Sequence, residues 1–439
     1  MSFFRERMEL VLAGLLLASL ILVTPRISES DAIEYFSYLP SLVFDGDLDF
    51  EDEYTHFYEE DPEARQGFKE TFLDRSTATG LKLNFGPVGT AVLWSPFYLA
   101  THAVVRGDGM GQPYRSAVSL ASAIYAAVGL FLSYRLGRRF APPFVTFVAV
   151  VALWWATPVA YYMYVAPGMS HACSLFAVSL FFSLWPWAAR RSVAHWAVWG
   201  ASAGLMALVR EQDLFFALAA LVAASRWDVT SGLKRLVVFG ATTLAVFAPQ
   251  LLVYEVLNGR PFPSPHVQDK MAWYSPHFFE VLFSPEHGLF FWSPILLAFL
   301  GGGLALLRRQ REAGLVLLVG FLSQVYISGA VESWTQAGAF GSRRFVGATA
   351  IFAVWGAVGL ALIEPKLTRA GVAAVASLFV FWNVSLMMQF GLGLMDRQRL
   401  VWSEVGHNTV HEVPRQLGSV LGRYLVSRKE LIKSGREGQ

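Results

Sequence analysis

Met8-Glu9-Leu10-Val11-Leu12-Ala13-Gly14-Leu15-Leu16-Leu17-Ala18-Ser19-Leu20-Ile21-Leu22-Val23, then Ser30-Asp31-Ala32-Ile33-Glu34-Tyr35-Phe36: an apolar run gives way within a few residues to acid and aromatic side chains. The run is long enough to cross a hydrocarbon core about 30 Å thick. Arg5 and Arg7 precede it, and Thr24-Pro25-Arg26 follows without a small-residue cleavage site, so it reads as an uncleaved signal anchor. Beyond it, fifteen of the 33 Asp and Glu residues lie between Glu29 and Asp74. A chain that anchors itself once and then spends nearly half its acids outside the bilayer has built something there.

The remaining residues are mostly apolar run after apolar run. The chain is 54% hydrophobic and only 15% charged, against about 25% charged in soluble domains. The runs are continuous rather than alternating, which selects helices over a barrel. The expected fold class is an all-α polytopic membrane protein. Net charge is +2, so nothing points to a nucleic-acid partner. The lone Cys173 excludes a disulfide within the chain.

After the anchor, apolar segments fall at 116–134, 143–165, 170–188, 194–209, 213–225, 236–257, 289–307, 313–330, 346–363 and 370–393. The N-terminus and the basic turns at 135–139, 190–191, 226–235, 308–311 and 366–369 together hold 15 of the 35 Lys and Arg residues. Cytoplasmic loops should carry that excess. All of them fall inside only if the additional apolar stretch 87–104, with Pro87, Trp94, Pro96, Tyr98 and His102, lies in the outer interface rather than crossing. The expected plan is a cytoplasmic N-terminus (1–7), an anchor (8–24), and an extracytoplasmic loop with interfacial helices (25–115). A bundle of about ten helices (116–393) and an extracytoplasmic C-terminal tail (394–439) complete it.

On that plan the chemically unusual segments gather on the outer face. They are Asp31 and Glu34, Lys82 and Asn84 in Lys82-Leu83-Asn84-Phe85-Gly86-Pro87-Val88-Gly89, and His171 after Pro167-Gly168-Met169-Ser170. Arg210-Glu211-Gln212-Asp213, His287 in Pro285-Glu286-His287-Gly288, Glu332, and Arg343-Arg344 follow. Each has a plainer reading. Ser30 or Asp31 could simply cap a helix starting at Ala32, His171 could be a packed core histidine, and Arg343-Arg344 could sit on lipid headgroups. The acidic run Asp45 to Glu53 fails as a calcium loop, with Phe50 at the sixth position and His56 at the twelfth; it reads as a solvated loop. Phosphate-binding glycine loops, His-Glu-x-x-His and nucleophile elbows are absent.

The signal anchor, Ser30-Asp31-x-x-Glu34-Tyr35 just beyond it, the external loop closing on Asn84-Phe85-Gly86-Pro87-Val88-Gly89, and about ten further spans together resemble the GT-C superfamily of membrane glycosyltransferases. That superfamily includes the protein O-mannosyltransferases, the aminoarabinose transferases of lipid A and the catalytic subunits of oligosaccharyltransferase. The resemblance implies a polyprenyl-phosphate-linked sugar donor, an extracytoplasmic acceptor and a site among membrane lipids on the outer face. Asp31 matches the acidic residue of the first external loop, and Glu34 is a second acidic candidate displaced from the family's adjacent pair. The next external loop, Pro167 to His171, carries no carboxylate; a metal-independent mechanism without cofactor is therefore expected, with a divalent metal not favoured.

Such a transfer requires a base for the acceptor proton and cations for the leaving phosphate, for which arginine's fork is well shaped. Asp31 is the candidate base of an inverting displacement. Arg343, Arg344, His287, Arg210 and Lys82 are candidate phosphate ligands, and Asn84, His171 and Glu332 candidate substrate-loop residues. The alternatives are a transporter or flippase, which would more often show inverted repeats and mid-span charges, and a non-catalytic subunit of an envelope assembly.

Overall fold

The computed structural model describes residues 2–427 except Ala337, and omits the side chains of residues 2–6 and of His266. The last part of the expected C-terminal tail, 428–439, and Met1 of the expected cytoplasmic N-terminus lie outside the described residues. The chain is helical almost throughout, and the described residues contain no strand.

The main helices are α1 Ser2–Ser19, α2 Ser30–Pro40, α3 Glu51–Glu59, α4 Gly89–Val105, α5 Gln112–Gly137, α6 Pro143–Ala156, α7 His171–Ala188, α8 Val193–Val209, α9 Ala219–Ala224 and α10 Val229–Asn258. They continue as α11 Pro294–Arg309, α12 Arg311–Gly329, α13 Thr349–Ile363, α14 Arg369–Gly391 and α15 Val413–Val426. Among the described residues six segments are long and apolar enough to cross a membrane: α5, α7, α10, α12, Arg343–Lys366 and α14. α6 and α8 are shorter apolar helices.

Several expected spans are broken, each for a local reason. The segment expected at 143–165 stops at Ala156, because Pro158 forces Thr157 into extended backbone. It resumes as a π turn at Tyr161–Val165. The segment expected at 289–307 is interrupted at Ser293, where Pro294 starts a new helix. The segment expected at 213–225 begins as a 3-10 helix, Glu211–Leu218, before α9. Asp228 and Thr368 cap α10 and α14 by accepting the N–H groups of Ser231 and Gly371.

The chain divides into two compact units. The first comprises residues 1–22, 130–161 and 272–439. Within it α6 packs on α1, α13 and α14, and α11 lies tightly along α13. A Cβ on Gly302 would stand 1.8 Å from the Trp355 carbonyl oxygen, and Gly356 meets the Phe299 ring. Asn383 of α14 donates to the carbonyls of Trp155 and Thr157, at 2.9 and 3.0 Å, where α6 has ended.

The second unit comprises residues 23–129 and 162–271. Here α8 and α10 approach through Gly200 and Gly204, and the Thr243 hydroxyl donates to the Gly200 carbonyl at 3.0 Å. The external loop has its own aromatic core, in which Phe36, Phe50, Tyr54 and Phe57 are all fully buried. Tyr38 and Tyr54 donate their hydroxyls to the carbonyls of Gly86 and Leu83, at 2.8 and 2.9 Å. In the acidic run, Asp47 and Asp49 carboxylates accept the N–H groups two residues on, the exposed turn chemistry expected of a solvated loop.

Gly302→Val places a methyl-bearing carbon against the backbone of α13, where no rotamer change can relieve it. Thermal melting in detergent should show a large destabilisation, at the upper end of the roughly 1–3 kcal/mol typical of overpacking. Gly301→Ala, whose Cβ meets nothing within 4 Å, should melt at or above the wild-type temperature.

Candidate active site

Helix α2 begins two residues earlier than expected of a capped Ala32 start. The Ile33 N–H already reaches the Glu29 carbonyl at 3.0 Å, so Ser30 and Asp31 are helical and neither serves as the cap; the cap residue is Glu29, with no side-chain bond. Asp31 is half-buried in the first turn. A carboxylate there is favoured by the helix dipole. One turn on, on the same face, Tyr35 is buried.

From Tyr35 a short polar chain leads to a cation. The Ser170 hydroxyl donates to the Tyr35 oxygen at 3.2 Å, and an Arg210 guanidinium N–H donates to the Ser170 oxygen at 2.9 Å. The other arm of Arg210 bonds the Gln212 side-chain carbonyl at 3.0 Å. Burial first, and then the charge of Asp31, push the Tyr35 hydroxyl up to about 12, while Arg210 pulls it down. Both charges are therefore felt at one phenol. Among the described residues no carboxylate lies within 4 Å of Arg210. Asp213, three residues away and fully buried, turns its carboxylate to the Ser174 hydroxyl at 2.6 Å instead.

Glu34 does something different. It is only 3% exposed, and its carboxylate accepts the Phe85 N–H at 2.5 Å. Asn84 donates to the Glu34 main-chain carbonyl at 3.0 Å and accepts the Gly86 N–H at 2.8 Å. Together these bonds clamp the Asn84-Phe85-Gly86 turn onto α2. Gly86 is required at the clamp, since a Cβ would meet the Tyr35 ring at 2.8 Å. Burial raises the Glu34 carboxyl well above its ordinary value, the Asp31 charge raises it further, and the Phe85 and Gly86 N–H groups pull against both.

The other expected residues of this unit have local partners. Lys82 donates to the Leu73 carbonyl at 2.9 Å and pairs with Glu51 at 3.4 Å. His171 opens α7, buried, with its ring 4.4 Å from that of Tyr162. Beside the clamp, Asn84, Phe85, Glu211, Tyr254, Asn258 and Ser264 line a pocket of about 310 Å³. The Tyr254 hydroxyl donates to the Glu211 carboxylate there, and burial raises that carboxyl. Tyr35, Ser170, Glu211 and Asp213 lie in segments that the sequence singles out but carry no assigned role there, and Tyr254 carries no sequence signal. Only the position of the Arg210–Asp213 tip between two apolar runs marks the place.

In the other unit His287 adopts a left-handed backbone, φ 65°. Its ring stacks on Trp292, centroids 4.8 Å apart, and Nε2 donates to the Ala339 carbonyl at 2.7 Å. Burial chiefly, with Arg343 adding to it, lowers its pKa and keeps the ring neutral. Arg344 brackets the 328–336 loop by donating to the Ser328 carbonyl and the Ser333 hydroxyl, at 3.2 and 3.1 Å. Arg343 is half-buried and Glu332 exposed. Among the described residues no group of three or more His, Cys, Asp or Glu side chains could hold a metal ion.

Two solved structures share this fold over most of the chain. ArnT from Cupriavidus metallidurans bound to undecaprenyl phosphate matches with a TM-score of 0.57 at 14% identity, covering 95% of this chain and 77% of that one. The apo form of the same protein matches with a TM-score of 0.52 at 13% identity and the same coverage. No protein-family model matches the sequence, and no curated protein matches it either. At these identities the likeness shows the fold alone, and it is the fold that the sequence resemblance implied.

The raised Glu34 carboxyl has a definite sign in the stability profile. The folded state holds its proton to higher pH than the unfolded chain, so the contribution is complete below the ordinary carboxylate value of 4.5 and is lost as pH rises through the folded value. Glu34→Gln keeps the acceptor for Phe85 but cannot ionise. Its melting temperature should fall less than that of the wild type as pH is raised; an unchanged slope would mean that Glu34 is not the group titrating.

Proposed function

We propose that the chain is a membrane glycosyltransferase that moves a sugar from a polyprenyl-phosphate donor to an extracytoplasmic acceptor hydroxyl, with inversion and without a metal. The observation that carries the reading is Arg210: a guanidinium held by the neutral Ser170 and Gln212, tied through Tyr35 to the helix that bears Asp31. The fold shared with a protein crystallised with undecaprenyl phosphate supports the class of donor.

In this mechanism Asp31 accepts the proton of the acceptor hydroxyl as its oxygen attacks the anomeric carbon. The bond between that carbon and the phosphate oxygen breaks, and its electron pair leaves with the phosphate. Attack and departure lie on opposite faces of the sugar, so one displacement inverts the centre, and a single carboxylate suffices. Arg210 stabilises charge as it develops on the phosphate. Such a donor acts most strongly where water is excluded and its orientation is fixed beforehand; Ser170 and Gln212 supply that fixing. Glu34 does not take part in the proton transfer but holds the turn that follows Leu83, and Arg343, Arg344, His287 and Lys82 are secondary candidates for the donor phosphate. Glu332 and His171 remain substrate-loop candidates. The sugar, hexosyl or pentosyl, is selected by the shape of the pocket.

The test is transfer by purified protein in detergent supplied with labelled polyprenyl-phosphate sugars. Asp31→Asn should abolish transfer with expression and melting unchanged. Arg210→Gln should lower kcat by about 10²–10³, the range for one lost oxyanion donor, whereas Arg344→Gln should chiefly lower the melting temperature. Full activity in Asp31→Asn would remove the assignment of the base, and full activity in Arg210→Gln that of the phosphate ligand.

A further inference from the structure

In the unit that contains α11, α13 and α14, a groove of about 640 Å³ runs along the bundle between these helices and α6. Its lining is wholly apolar, with Phe299, Leu360, Ile363, Val372, Ala376 and Phe379 prominent. Along α14 it extends from Val372 to Phe379, a rise of about 10 Å at 1.5 Å per residue. It is no interior packing defect, for Ile363, Leu367 and Val375 on its rim are 44%, 42% and 47% exposed.

One end of the groove closes at Leu367, inside the basic turn Lys366 to Arg369, on the side that the charge count assigns to the cytoplasm. Lys366 is exposed, and among the described residues it has no ion pair. Arg369 lies over the Phe144 ring at 5.2 Å from the centroid and pairs loosely with Glu364, at 3.5 Å with a 70% exposed side chain. Glu364, an acid at this end of the groove, is paired with Arg369, which leaves Lys366 as positive charge without an ion pair among the described residues. An apolar slot ending at exposed cations fits one molecule chemically: a lipid with a hydrocarbon chain and an anionic head.

We propose that this groove is a binding site for an anionic glycerophospholipid, one acyl chain lying along α14 and the phosphate at Lys366 and Arg369. The site is independent of the glycosyl-transfer reading, and bound lipid there would fill the seam between α11, α13 and α14 rather than exchange with bulk bilayer.

Native mass spectrometry of the full chain in detergent, with phosphatidylglycerol and phosphatidylcholine of matched chains, tests it. One phosphatidylglycerol should be retained in preference to phosphatidylcholine. Lys366→Gln and Arg369→Gln should each lower that preference roughly fivefold, from about 1 kcal/mol per basic residue near an anionic surface. Ala376→Trp, which fills the groove, should remove the retained lipid, while Leu378→Trp on the neighbouring exposed face (69% exposed) should not. Equal retention of the two lipids, or unchanged retention in Ala376→Trp, would reduce the groove to an ordinary lipid-facing surface. Displacement of phosphatidylglycerol by undecaprenyl phosphate at equal concentration would make it a tail groove for the proposed donor and overturn the assignment. Should Ala376→Trp fail to fold, the two charge variants still decide the outcome.

Discussion

Hydrocarbon offers no hydrogen bonds, so each break in a membrane helix must find partners for the backbone groups it releases. This chain breaks its helices repeatedly, and an amide side chain closes the backbone at one of these breaks and at the irregular turn before α4. Asn383 takes up the carbonyls of Trp155 and Thr157 where Pro158 stops α6. The Gln250 carbonyl oxygen accepts the Val88 N–H just before α4 begins, at 2.8 Å. Asn84 spans the Glu34 carbonyl and the Gly86 N–H. Buried amides of this kind are neutral, donate and accept at once, and so can close an irregular turn without importing a charge.

The candidate site is built on such breaks. α8 ends at Val209 and the chain continues as a 3-10 helix, which puts Arg210 at the helix terminus with an extended backbone. The preceding turn, Ala166 to Ser170, presents Ser170 to that guanidinium, and a Cβ on Gly168 would collide with Ile27 and Ala32. Close approach of this turn to the start of α2 therefore depends on a glycine, and the Tyr35–Ser170 bond depends on the approach. Function and irregular backbone coincide here for a physical reason: a straight helix directs its polar termini away from the core, whereas a broken one can aim them at each other.

What the sequence made legible was what local composition controls. Continuous apolar runs specified where helices lie, but the runs 143–165 and 289–307 pass straight through Pro158 and Pro294, where the structure breaks them. The Asp45 to Glu53 run read as a solvated loop, which holds for the turn around Asp47 and Asp49 but not for its end, where Phe50 and Glu53 are buried and Glu51 begins α3. The role of Glu34 was not legible, since it rests on an N–H 51 residues away, and an acid beside Asp31 looks the same whether it titrates or clamps. Arg343-Arg344 stood out as the sharpest cationic pair, yet Arg344 closes its own loop. Arg210 was the quieter signal: a single arginine between two apolar runs, where charge is costly and therefore calls for a purpose.

The partners of Arg210 carry the electrostatic argument further. A half-buried guanidinium is usually stabilised by a carboxylate, and acids are close at hand in Glu211 and Asp213. Both are committed elsewhere, Glu211 to the Tyr254 hydroxyl and Asp213 to Ser174. Had either closed on Arg210, an arriving phosphate would have had to break a desolvated ion pair before gaining anything. Hydroxyl and amide partners fix the fork's direction without a direct ion pair, and Asp213 feels its charge only through space, so the proposed mechanism keeps its contact face for an arriving anion. Asp31 is the carboxylate whose charge acts most on the Tyr35 phenol, with Glu34 adding less and Arg210 opposing both. In the proposed mechanism the opposite charges of Asp31 and Arg210 are those of the base and the phosphate ligand, and both act on the one phenol that the Ser170 hydroxyl links to Arg210.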